Sequence, residues 1–245
     1  MNLHHDKEAF AELIIGAANE LAIPTNVIEK DYYVTITLKA LAEKTKDMVF
    51  KGGTSLTKCY QLLDRFSEDI DLSYTAESGM PGESRKKQLK NNIVSTMEEF
   101  GFPINNLETT RSRRNYNCYR ASYPSFYEQN GILKPELVIE TYVAMLPFPT
   151  TKRMVDNYIY RFLSEINRLD LAETYELMPF KITTQTIERT LVDKVFALCD
   201  YYMQEKTERH SRHLYDIHKI VETMGISNEL PNLIPEVRAV RSEMI

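Results

Sequence analysis

Apolar positions recur at helical spacing from the start of the chain. Phe10, Leu13, Ile14, Ala17 and Leu21 fall on one face of a helix over residues 7 to 22. Pro24 suits the first turn of a second helix that continues to about Lys44. Inside it, Val27-Ile28-Glu29-Lys30-Asp31-Tyr32-Tyr33 sets three charges beside two tyrosines. The period then changes. Met48-Val49-Phe50 predicts a short buried strand, ending in Gly52-Gly53-Thr54-Ser55, where a helix to about Asp64 begins. Ile70 and Leu72 alternate with Asp69 and Asp71, the period-two pattern of a second strand. Residues 74 to 82 form a polar loop with Gly79, Pro81 and Gly82, and residues 83 to 100 are helical. From 105 to 146 the pattern is one of short strands, clearest in the β-branched and aromatic stretch 137–143. Pro147 and Pro149 close that region, and the remainder reads as mainly helical, with long helices near 186–205 and 211–224. The expected organisation is α+β: a mixed α/β domain over 1–150, including the N-terminal helices, then a mainly helical domain over 151–245.

Composition narrows the class. The 245 residues are 43% hydrophobic and 27% charged, enough apolar content for one large core or two small ones. The formal charge of -5 excludes a chain-wide basic field, so nucleic acid could be bound only through a local patch. Cys59, Cys118 and Cys199 are odd in number, far apart and without CxxC spacing, as expected of buried thiols in a reducing compartment. The segment MNLHHDKEAF has no apolar signal-peptide core, and no apolar run approaches the ~20 residues that span a bilayer. A cytoplasmic protein without membrane contact is expected.

The chemistry concentrates in KGGTSLTKCYQLLDRFSEDIDLSY, residues 51 to 74. Gly52 and Gly53 carry no Cβ, so their backbone can approach a phosphate. The following helix start offers free N–H groups, Ser55 a hydroxyl and Lys58 a charge one turn on. Asp69 and Asp71, two apart on a strand, leave the same face. Two such carboxylates repel unless a cation lies between them, and Mg²⁺ takes oxygen ligands of this kind while bridging phosphates. The Walker pattern G-x-x-x-x-G-K-[ST] is not met. His210, His213 and His218 lack the spacing and cysteine partners of a zinc site.

A Gly-Gly turn followed by D-x-D on the next strand resembles the polymerase-β-like nucleotidyltransferase superfamily. The longer string GGTSLTK…RFSEDIDL is similar to the AbiEii nucleotidyltransferase toxins, whose relatives include tRNA-modifying toxins. The resemblance extends to IEKDYY at 28–33, to Arg189-Thr190-Leu191-Val192-Asp193-Lys194-Val195-Phe196-Ala197-Leu198, and to Arg212-His213-Leu214-Tyr215-Asp216-Ile217. His213 stands where that family often has Asp, and the interval from the glycines to D-x-D is slightly longer than in the broad superfamily. The resemblance implies a mixed sheet with flanking helices, a helical C-terminal region that completes the active site, Mg²⁺ (or Mn²⁺) as cofactor and an NTP as substrate. Two-metal transfer needs a third carboxylate on a neighbouring strand, and Glu140, an acid in an otherwise apolar strand, is the candidate metal ligand or base. The implied roles are phosphate contact for Lys194 and a catalytic carboxylate for Asp216, which otherwise reads as an i, i+4 partner of Arg212. Asp193 is a supporting partner or plain surface. Thr54 and Arg65 join the nucleotide set, with Ser67 shaping the loop over the triphosphate. Glu29, Lys30 and Asp31 support the site by resemblance and otherwise read as a solvated face.

Two basic groups bear on the acceptor. Arg111, Arg113, Arg114 and Arg120 are interleaved with Tyr116, Tyr119 and Tyr123, and Arg85, Lys86, Lys87 and Lys90 form a second group. Such mixtures suit single-stranded RNA ends, where charge tracks phosphate and rings stack on bases, and equally suit solvated surfaces. The resemblance points to a tRNA 3′ end as acceptor, a block of translation as outcome and a cognate antitoxin as partner. A protein or small-molecule hydroxyl as acceptor, or an NTP-binding regulator without catalysis, are the alternatives.

Overall fold

The computed structural model describes residues 1–127, 133–206 and 210–242. A six-stranded mixed sheet organises the chain. Its strands are β1 (Met48–Lys51), β2 (Ile70–Tyr74), β3 (Tyr116–Ser122), β4 (Glu136–Tyr142), β5 (Thr150–Val155) and β6 (Phe180–Gln185), in the order β3-β4-β2-β1-β6-β5. β1 runs antiparallel to β2 and parallel to β6, while β2 and β4 are parallel. The sheet therefore continues past residue 150. β5 and β6, in a stretch that reads as mainly helical, pair antiparallel at its far edge.

The apolar alternation sets the faces. Ile70, Leu72, Phe50, Leu137 and Ile139 join the main core, built with α1 (Lys7–Leu21), α2 (Thr25–Lys44), α4 (Glu83–Phe100) and α5 (Tyr158–Glu165). The helix after the glycines, α3 (Gly52–Lys58), is shorter than its apolar pattern predicts. Gln61 at φ 51 turns the chain so that Leu62 and Leu63 enter a second core. That core is shared with α7 (Ile187–Met203), α8 (His210–Met224) and α9 (Leu230–Ser242), with α6 (Leu169–Thr174) lying against the first.

α2 is the structural surprise. Glu29, Lys30 and Asp31, which read as a solvated face without the resemblance, are almost wholly buried. Burying charge is costly unless each group is paired, and here each is. Glu29 accepts hydrogen bonds from Phe126 N and Ser125 Oγ, both at 2.7 Å. Lys30 donates to the carbonyls of Lys134 (2.8 Å) and Glu136 (2.6 Å) and pairs with Glu68 at 3.3 Å. Asp31 binds Lys58 of α3 and accepts from Tyr158 N, at the start of α5, at 3.0 Å. One helix turn thus fixes five segments around the sheet.

Candidate active site

The register of the strands builds the site. Lys51 lies opposite Asp71, Asp71 opposite Glu140, and Glu140 opposite Cys118, so four side chains form one row across β1, β2, β4 and β3. Cross-strand partners share a face, here the one opposite Ile70 and Leu72. Burial, then the neighbouring Glu140 charge, pushes the Asp71 carboxyl up to about 7, with Asp69 adding to the repulsion and Lys51 opposing it. Burial likewise draws the Lys51 ammonium below its ordinary value, with Asp71 acting against that. Tyr116 donates its hydroxyl to Glu140 Oε1 at 3.1 Å.

The glycine turn presses against this row. Gly52 has φ +80, and a Cβ there would sit 1.9 Å from Asp71 Oδ2. At Gly53 a Cβ would meet Arg65 Nη2 at 3.1 Å and Ser67 Oγ at 3.2 Å. Both glycines therefore serve close approach, at first to the protein's own carboxylate and guanidinium. Their neighbours are turned inward, contrary to expectation. Ser55 is buried and donates to Gly52 O at 2.8 Å, holding the turn rather than facing a ligand. Thr54, also buried, shares a 2.9 Å hydrogen bond with Ser67 Oγ. Lys58 points away from the site into the buried pair with Asp31, with Thr35 Oγ1 and Asp156 O as further acceptors, and so presents no charge to a phosphate.

Asp216 gathers the cations. It is 1% exposed and accepts two hydrogen bonds from Arg65, Nε to Oδ1 at 3.0 Å and Nη2 to Oδ2 at 2.8 Å. Lys194 Nζ completes the triad at 2.7 Å from Oδ2. Burial pushes this carboxyl up, but the Arg65 hydrogen bonds and the Lys194 charge outweigh it and hold it below its ordinary value. Arg212, the sequence neighbour expected to pair with Asp216, instead lines a separate hollow of 250 Å³ with Arg65, Glu68 and Asp69. Asp193 is neither surface nor free. Arg189 Nε (2.9 Å) and Gln185 Nε2 (3.0 Å) hold it, and Arg189 is wholly buried over the Phe148 ring.

A cavity of 220 Å³ opens among these groups, lined by Lys51, Gly52, Asp71, Asp193, Lys194 and His213 among others. Asp69 lines the other hollow, beside Arg65 and Arg212, and Lys134 Nζ grips both its carboxylate oxygens at 2.6 and 2.7 Å. Lys134 is fixed in turn through its N–H to Glu68 and its carbonyl to Lys30. Neither Lys51 nor Lys134 stood out in the sequence. The first lies beside the glycines as a strand end, and the second follows no local pattern at all.

As the side chains stand, no group of three His, Cys, Asp or Glu among the described residues converges on one point. The donor set nonetheless fits a hard divalent cation. Asp71 and Glu140 face each other on adjacent strands, and the Glu140 charge adds to burial in raising the Asp71 carboxyl, a repulsion that a cation would relieve. Asp69, whose charge also reaches Asp71, is held by Lys134. Of the histidines, His213 lies against Tyr201 and His218 is exposed, while the His210 side chain lies outside the described residues.

At the β3 edge the two basic groups meet. Lys86 of α4 donates to Asn115 Oδ1 at 2.6 Å, Lys90 to Thr110 O at 3.0 Å, and Arg113 lies 3.6 Å from Glu83. Arg111, Arg113 and Arg114 are exposed in the loop leading into β3, where Arg111 and Arg114 donate to backbone carbonyls of residues 108–110, and Tyr116 beyond them reaches Glu140. Two expectations fail. Tyr119 and Tyr123 are core residues, leaving Tyr116 as the exposed ring of the three. Arg85 folds back over Tyr74 and donates to the 78–79 backbone.

A mixed sheet with carboxylates on adjacent central strands, a glycine turn against them and lysines around one cavity is the arrangement expected of a nucleotidyltransferase. The chain belongs to the family described as nucleotidyl transferase AbiEii toxin, type IV toxin–antitoxin system, whose family model matches residues 37–244. The match spans every strand and α3 to α9 and begins beyond the buried charges of α2. No curated protein matches the chain.

Proposed function

We propose that the protein transfers a nucleotide from an NTP to an RNA hydroxyl, the 3′ end of tRNA, and so blocks translation as the toxin of a toxin–antitoxin pair. The observation that carries this reading is the Asp71–Glu140 pair, set against the Gly52 turn at the edge of the cavity and beside the exposed basic face.

The roles follow from position. Asp69, Asp71 and Glu140 are the residues to hold Mg²⁺ or Mn²⁺, which when bound would screen phosphate charge and polarise the reacting oxygens. Lys194 lines the cavity and meets the NTP phosphates, oriented by Asp216. Arg65 shares that carboxylate, which makes Asp216 a positioning group for two cations. Glu140, reached by Tyr116 from the side of the basic face, takes up the proton of the acceptor hydroxyl as its oxygen bonds to the α-phosphorus. The bond between the α-phosphorus and the bridging oxygen breaks, and pyrophosphate leaves with the electron pair. Arg111, Arg113, Arg114, Lys86 and Lys90 track the RNA backbone. The setting is the cytoplasm, where tRNA is found. No helix among the described residues is long and apolar enough to cross a membrane. An antitoxin restrains the activity.

Induced expression in a bacterial host, followed by sequencing of tRNA 3′ ends, tests the reading. Wild-type protein is expected to stop growth and leave extra 3′ nucleotides, and Asp71→Asn to do neither. Growth arrest with unaltered tRNA ends would move the target to another acceptor.

A further inference from the structure

Nearly every cation around the site has a carboxylate partner. Lys134 holds Asp69, Arg65 and Lys194 share Asp216, Arg189 holds Asp193, Lys30 meets Glu68, and Lys58 meets Asp31. Lys51 is different. Among the described residues its ammonium makes no ion pair or hydrogen bond, and its contact is with the face of the Tyr142 ring, 5.1 Å from the centroid. It ends β1, lies opposite Asp71 in register, and lines the same cavity as Gly52 and Lys194.

A half-buried ammonium without a hydrogen-bonded anion costs stability, and a ring face compensates only in part. The Asp71 charge opposite offsets a further part of that cost without pairing with the ammonium. Asp71 lies opposite in register without forming an ion pair with Lys51, and Asp193 is held by Arg189 and Gln185. An anion in the cavity would meet at Lys51 a cation that no carboxylate holds in an ion pair, although the Asp71 charge opposite attracts it. Lys194 is shared with Asp216, so an anion reaching Lys194 alone would have to compete with that pair.

We propose that Lys51 is a second phosphate-binding cation of this site, taking the triphosphate of the incoming NTP together with Lys194. The proposal rests on the reading of the cavity as the NTP site. In the transfer, the acceptor oxygen bonds to the α-phosphorus, the bond to the β-bridging oxygen breaks, and its electron pair passes to pyrophosphate. The Lys51 ammonium neutralises the charge that accumulates on that leaving group. Tyr142 keeps the ammonium aligned when the site is empty.

Calorimetric titration with Mg²⁺-tripolyphosphate, which requires no knowledge of the preferred base, tests this, with orthophosphate for comparison. Lys51→Met is expected to weaken tripolyphosphate binding by about tenfold or more and orthophosphate by under about threefold. Lys51→Arg is expected to stay near the wild type in both. Because the desolvation of the ammonium is offset only in part by the Tyr142 ring and the Asp71 charge, unliganded Lys51→Met should melt within a few degrees of the wild type. Tripolyphosphate binding unchanged in Lys51→Met overturns the proposal, as does equal loss of both anions with a melting temperature lowered by more than that, which marks a structural lysine. Lys194→Met separates the two levels of inference. If it weakens tripolyphosphate and Lys51→Met does not, the role of Lys51 falls alone. If neither variant weakens it, the reading of the cavity as a triphosphate site falls as well.

Discussion

At the scale of single residues, Asp71 is where sequence and structure agree most closely. Its alternation with Ile70 and Leu72 puts it on the polar face, and strand register then supplies Lys51 and Glu140 on either side. Glu140 was legible as an acid in an apolar strand. Lys134 was not, because the contact that matters joins it to Asp69 across 65 positions. Ser55 and Lys58 were misread for the opposite reason: their types suit a phosphate, but burial turns both to protein partners. The Asp71 carboxyl, at about 7 in the folded protein, lies above its unfolded value of about 3.9. Its contribution to stability is thus present in acid and lost as pH rises through about 7. Metal-free Asp71→Asn should therefore match the wild type near pH 4 and melt several degrees higher near pH 8. Mg²⁺ should close that gap by raising the wild type alone. Differential scanning calorimetry at the two pH values checks this, and a gap independent of pH would contradict it. Lys134 competes for Asp69, so Lys134→Met should tighten Mn²⁺ binding several-fold in an EPR titration; weaker binding would show that Lys134 supports the site instead.

At the scale of elements, α2 carries the fold's most demanding packing. Its helical period was readable, but the fate of its charges was not. Glu29, Lys30 and Asp31 find partners in the 125–126 loop, the 134–136 segment, α3 and the start of α5, all remote in sequence. Removing one member of a buried ion pair strands the other. Asp31→Ala should cost about 3–5 kcal/mol in urea unfolding, and Asp31→Ala/Lys58→Met should recover part of that loss. A single-variant cost below about 1 kcal/mol would mean that Lys58 finds another partner. The α3 boundary was missed because Gln61 breaks the helix in a left-handed conformation that a glutamine does not advertise. His4, packed against Tyr32 and Tyr33 of α2, offers a second pH handle. Burial, then the His5 charge, holds its imidazole down to about 4. A histidine lowered in the fold stabilises it above about 6.5, and that contribution is lost as pH falls from there toward about 4. His4→Phe should lose less stability than the wild type between pH 7.5 and 5; an equal loss would place the acid sensitivity elsewhere.

At the scale of the whole molecule, the mixed sheet and its flanking helices were legible from the change of period near residue 48, and the chain's family from the glycines and D-x-D. The extension of the sheet through β5 and β6 was hidden by a polar, lysine-bearing edge strand, Thr150–Val155, without a clean apolar alternation. The basic face was hidden too, since its halves on α4 and before β3 come together only through contacts such as Lys86 with Asn115. Neutralising Lys86, Lys90, Arg111, Arg113 and Arg114 together should weaken tRNA binding, flatten its salt dependence and leave tripolyphosphate binding intact. An unchanged salt slope would exclude this face as the RNA path.

The central claim is nucleotide transfer to RNA through Asp71 and Lys194. The most direct test incubates purified protein with Mg²⁺, total tRNA and each α-³²P-labelled NTP in turn, beside Asp71→Asn and Lys194→Met. The account predicts label on tRNA from at least one NTP with the wild type, reduced at least about a thousandfold in Asp71→Asn. Label that appears only on protein, or that persists undiminished in Asp71→Asn, would contradict it.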